Sequence, residues 1–153
     1  MMNERTIKAY LRRYIRAEQL HYRICEDYKE LCESLSAIGG FRYGQLRIQQ
    51  TTVKSAKFED LIARKEFLEE KMLRAGVKAY DIKEELRAMI WQLNDDRSRW
   101  ILLSLYVEKT SWQDLFDHGA VSEATYYRWH RKALYDFAEV YSEEIEKWHE
   151  RSM

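Results

Sequence analysis

The 153-residue sequence has no proline, only five glycines and two cysteines, and a formal net charge of +0. Without proline nothing forces a kink or denies a backbone donor to a long helix. Few glycines, 34% charged and 46% hydrophobic residues make the composition of amphipathic helices, so an all-α chain is expected. Apolar runs last only a few residues, which excludes a transmembrane span. The start, MMNERTIKAY, lacks a signal-peptide core, so a cytoplasmic protein is expected. Cys25 and Cys32 lie seven residues apart on one predicted helix, about 10 Å by helical rise, too far for a disulfide. They read as reduced core thiols. The absent net charge counts against a strong non-specific polyanion binder, because phosphate contacts normally show as a basic excess. Such basic excess as exists is N-terminal: residues 1–57 hold eleven Lys/Arg against six Asp/Glu, whereas 95–153 hold eight against twelve.

Between Ile7 and Ile38 apolar positions recur in heptad fashion through Tyr10, Tyr14, Ile24, Tyr28, Leu31 and Leu35, with His21 on the same stripe. Such a stripe needs a partner helix. Phe58, Leu61, Leu68, Met72, Ala79, Ile82, Leu86 and Leu93 provide one, and the phase continues through Gly76, which favours one long helix with a soft spot. The two segments match in length, so they are expected to fold back as an antiparallel hairpin. Between them Gly39, Gly40 and Gly44 predict a basic loop over 36–56, in which Phe41 and Tyr43 can stack and Arg42, Arg47, Lys54 and Lys57 are candidate phosphate contacts. A plain connector is the alternative. Asn94-Asp95-Asp96 then caps a new helix, which divides the chain into an N-terminal hairpin, 1–94, and a C-terminal domain, 95–153.

The C-terminal part is organised around Glu108–Leu134. Ser111 followed three residues later by Asp114 reads as a capping box, and Trp112, Leu115 and Phe116 give the short helix an apolar side. Gly119 supplies the turn and Ser122 opens a second helix. On that helix Tyr126, Trp129, Ala133 and Leu134 recur at helical spacing, while Glu123, Ala124, Tyr127, Arg128 and Arg131 fall on the other side. Two helices joined by a short glycine turn make a helix-turn-helix. The periodicity continues through Phe137, Tyr141, Ile145 and Trp148, so the second helix is expected to extend past the motif to an acidic far end.

The ten-residue step from Trp112 to Ser122, the Ser-x-x-x-apolar pattern after it, and the preceding DDRSRWILLSLYVEKTSW resemble region 4 of bacterial sigma factors. The chain is also similar to phage late-transcription regulators of the RinA and ArpU type, in which a charged helical hairpin precedes this element. The likeness covers roughly Asp95 to Phe137. It departs at Phe116, where the family has a small residue, and at Gly119, where it has a large apolar one. Bulk moved one turn upstream is expected to fill the space that Gly119 leaves.

The resemblance implies a sequence-specific DNA-binding regulator, a sigma-like activator of late genes acting in the host cytoplasm. Its helix from Ser122 would read the major groove with Glu123, Ala124, Tyr127 and Arg128, and Arg131 and Lys132 would lie near the backbone. Arg128 suits the paired acceptors of guanine, Glu123 the amino group of cytosine, and Ala124 a thymine methyl. Expected partners are double-stranded DNA, with host RNA polymerase and a second copy of the chain as further candidates, and no membrane. Neither zinc-type His/Cys spacing nor a catalytic constellation is seen, so no metal, no cofactor and no enzyme activity are expected. Two other readings stand beside this one: a protein-interaction module acting on host polymerase or another host protein without DNA readout, and a small terminase-like DNA-packaging subunit.

Overall fold

The computed structural model describes the backbone of residues 2–40 and 48–153, and the side chains of 2–37 and 57–153. Among these residues the chain forms six α-helices, one π-helical turn and no strand, so the fold is all-α. In order they are α1 (Glu4–Leu11), α2 (Arg13–Gly40), α3 (Ile48–Trp91), α4 (Asp96–Leu102), the π turn (Leu103–Val107), α5 (Trp112–His118) and α6 (Glu123–Ser152). None is long and apolar enough to cross a membrane.

Two compact units result, one made of 18–78 and the other of 1–17 with 79–153. The first is the hairpin. Tyr28 on α2 donates from its hydroxyl to Glu69 Oε1 on α3 at 2.7 Å. One end further along, His21 rests on Gly76, where an added Cβ would stand 3.0 Å from Nε2. The partners climb one helix as they descend the other, so the pair is antiparallel. α3 passes through Gly76 unbroken, because the glycine makes room for an imidazole instead of marking a turn. Ile24 and Leu31 are buried in this unit, and Cys25 and Cys32 are half-buried free thiols.

The glycine-rich stretch differs from the sequence expectation. α2 runs on to Gly40 and α3 starts at Ile48, so both flanks of the loop expected over 36–56 are helical. A glycine costs a helix interior only about 1 kcal/mol, and no proline enforces a stop. Phe41, Arg42, Tyr43, Gly44 and Arg47 lie outside the described residues.

In the second unit the core is built from both ends of the chain. Ile7 and Leu11 from α1, Leu86 and Ile90 from α3, Ile101 and Leu102 from α4, and Leu134, Phe137 and Ile145 from α6 are sealed from solvent. Tyr10 packs with Phe137 at 6.0 Å and edge-on to Trp148 at 5.5 Å. Asp95 caps α4, accepting from the Ser98 amide, as the Asn94-Asp95-Asp96 boundary implies. The compact unit nevertheless takes in 1–17 and 79–94, because the apolar stripes there are satisfied by α4 and α6. Where α4 gives way to the π turn, Glu108 N–H donates to the Leu103 carbonyl five residues back at 2.8 Å. α6 continues to Ser152 with one irregular residue, Tyr141 (φ −119, ψ 24), whose hydroxyl donates to the Met89 carbonyl at 2.9 Å.

Candidate nucleic-acid interface

The element between α5 and α6 is fixed by three local devices. Ser111 Oγ accepts from the Asp114 amide at 3.1 Å, which supplies the serine half of the capping box. Gly119 ends α5 in the left-handed region at φ 72, its amide donating to the Phe116 carbonyl at 3.0 Å. Ser122 opens α6 by accepting from the Thr125 amide at 3.3 Å. An added Cβ at Gly119 would meet only the Asp117 carbonyl at 3.7 Å, so the glycine answers a backbone requirement and leaves no hole in the core. The expectation that Phe116 fills a space left by Gly119 is therefore corrected. Phe116 instead lies among Trp112 (5.9 Å), Tyr126 (6.1 Å) and Tyr127 (5.7 Å).

All six residues singled out on α6, namely Glu123, Ala124, Tyr127, Arg128, Arg131 and Lys132, are exposed. They fall on the side away from Tyr126, Ala133 and Leu134, which are fully buried. Arg128 is steadied by a short polar chain: its Nη2 donates to Thr125 Oγ1 at 3.1 Å, and that oxygen lies 2.9 Å from Ser122 Oγ. Tyr127 leans on Trp112, ring centroids 4.7 Å apart, while remaining 51% exposed. Lys132 pairs with Asp95 Oδ2 at 3.2 Å and so leans toward α4. Asp95 is held below the usual carboxylate range, first by the Ser98 hydroxyl and then by Lys132. Arg42 and Arg47 lie outside the described residues, Lys54 falls within α3, and Lys57 is exposed on α3.

Beneath the exposed face lies a polar core contact that spacing alone does not reveal. His130 is buried, and its Nε2 shares a hydrogen bond of 2.7 Å with the Tyr106 hydroxyl from the π turn. Trp112 meets the imidazole edge-on at 5.1 Å. Burial, and after it the positive charge of Lys8, push His130 down to about 4, and burial pushes Tyr106 up to about 12, so both stay neutral with one proton between them. A second buried contact ties α4 to α6: Ser98 Oγ lies 2.9 Å from Asp95 Oδ2 and 2.8 Å from Asp136 Oδ2. Through these contacts the helix that bears the exposed face is tied to α4 and to the π turn. Among the described residues no group of three metal-ligating side chains occurs.

No curated protein and no solved structure matches the chain. Residues 46–138 match a family described as a protein of unknown function, DUF1492. That span takes in α3, α4, the π turn, α5 and α6 as far as Ala138. On this match, which covers more than half of its length, the chain belongs to the DUF1492 family.

Proposed function

We propose that this chain is a sequence-specific DNA-binding transcription regulator, sigma-like and phage-encoded, which enters the major groove with α6 from Ser122 onward. One observation carries the reading. The first turns of α6 present Glu123, Ala124, Tyr127 and Arg128 to solvent, on a helix whose entry is set by Gly119 and Ser122 and whose opposite side is locked into the core. Arg128, held by Thr125, has the reach to pair with both acceptors of a guanine, and Arg131 suits a flanking phosphate. Fixing these donors before binding lowers the ordering cost of the complex. The proposed site needs no cofactor.

The test is a titration of duplex DNA selected from a random pool by the wild-type chain. Arg128→Ala is expected to weaken binding to the selected site by about 1–3 kcal/mol and to relax the preference at one base pair. Equal binding by both proteins, or none by either, would remove the reading. A second reading, as a protein-interaction module on host RNA polymerase, is favoured by Lys132 being engaged by Asp95 and by the exposed acidic side chains Glu139, Glu143, Glu146 and Glu150 beyond the motif. It predicts capture of purified polymerase by a chain that leaves DNA unprotected.

A further inference from the structure

The N-terminal basic excess is brought to α6 by the fold. Residues 2–17 carry Arg5, Lys8, Arg12, Arg13 and Arg16 against a single acid, Glu4. Glu4 is taken by Lys8 at 3.4 Å, while Arg13 lies over the Tyr10 ring at 4.0 Å and reaches Glu85 at 3.4 Å. Arg5, Arg12 and Arg16 remain, all exposed and without an acidic partner among the described residues. Their spacing places them within about 40° of one another around a helix. The hydrogen-bond ladder carries that phase past the α1–α2 junction, since the Arg12 amide donates to Lys8 and the Arg16 amide to Arg12. The result is a cationic ridge on the side opposite Ile7 and Leu11.

Its neighbour is the proposed recognition helix. α1 packs directly on α6. Tyr10 on α1 meets Phe137 on α6 at 6.0 Å, and buried His130, two turns earlier on α6, feels the charges of Lys8 and Arg12. A helix lying in a major groove about 12 Å wide has phosphates flanking it at roughly the spacing of two packed helices, 8–10 Å. Uncompensated guanidinium groups at that distance match phosphate in both charge and fork geometry.

We propose that α1 and the start of α2 form a phosphate clamp, in which Arg5, Arg12 and Arg16 hold the DNA backbone beside the groove that α6 enters. The clamp rests on the DNA-binding reading above, extends it to a segment far away in sequence, and contributes affinity without sequence preference.

The test compares four full-length proteins on a selected duplex and on a random-sequence duplex over a range of salt. They are wild type, the triple variant Arg5→Ala/Arg12→Ala/Arg16→Ala, the variant Arg128→Ala, and a charge-matched control, Arg64→Ala/Lys71→Ala/Arg74→Ala, altered on α3. The clamp predicts that the triple variant melts like wild type, binds both duplexes roughly tenfold or more weakly at low salt, and loses about 2–3 from the slope of log affinity on log salt. Its base preference should stay that of wild type. An unchanged slope in the triple variant, with preference lost in Arg128→Ala, would overturn the clamp and leave the reading of α6 standing. A slope lowered equally by the α3 control would overturn it too, since bulk charge would then account for the effect. Failure of wild type to bind either duplex would remove both proposals.

Discussion

Among the described side chains of 18–78, Ile24 and Leu31 are the buried hydrophobic ones, and the two helices are otherwise joined by contacts such as Tyr28 with Glu69 and His21 on Gly76. In the other unit a continuous cluster runs from Ile7 through Leu86, Leu102 and Phe137 to Ile145. Both regions are made of amphipathic helix, yet a lone hairpin has one seam to bury whereas α6 is covered by α1, α4 and α5. The difference implies unequal resistance to opening, because local stability follows buried apolar contact. The exposed basic side chains Arg128, Arg131 and Lys132 are carried by the denser of the two units.

The largest effect is expected from truncating the dense unit. Phe137→Ala should cost about 3–5 kcal/mol, against about 2 kcal/mol for Leu31→Ala in the hairpin, as read by urea denaturation of each variant. Similar losses would show that the two regions are packed alike. Next comes acid. The unfolded chain takes up a proton on His130 near 6.5, whereas the folded chain resists until about 4, so stability is lost as pH falls through that window. The loss should approach about 3 kcal/mol, and His130→Phe should flatten the profile between those two pH values. A wild-type profile without that decline would mean that the imidazole charges at little cost.

Smaller effects are expected at the turn. Ser122→Ala removes the α6 cap, and Gly119→Ala forces a side chain into the left-handed region, each worth about 1 kcal/mol in melting experiments. The smallest should be Gly76→Ala in the hairpin. A gain of about 1 kcal/mol in helix propensity is set against displacement of the His21 ring, so the single variant should lie near wild type. Combining it with His21→Ala should release the gain, and a double-mutant cycle that proves additive would dismiss the contact.

Helices and caps were legible in the sequence because their causes are local. Asp95, Ser111 and Ser122 each act within three residues of themselves, and the pattern around Tyr126 and Leu134 repeats at helical spacing. The exposed set on α6 followed from the same periodicity. What escaped was tertiary. Nothing in the spacing couples His130 to Tyr106, and the basic residues of α1 are far from α6 in sequence although α1 packs on it in the fold. The glycines near 40 suggested an early helix end, although two such residues cost less than a long hydrogen-bond ladder recovers. Gly119 is legible as the turn residue, and its φ of 72 bears that out, whereas comparison by side-chain volume wrongly makes Phe116 the filler of a space that the glycine does not leave.

The π turn at Leu103–Val107 works as a one-tooth offset in a gear train. Each extra residue in a helical turn advances everything downstream by about 100°. Four neighbours in a row, Ser104, Leu105, Tyr106 and Val107, are buried here, as in a helical segment covered on every side. Removing one of them would swing Tyr106 off His130 and turn the motif to a new azimuth, so insertions and deletions should be tolerated far less here than substitutions.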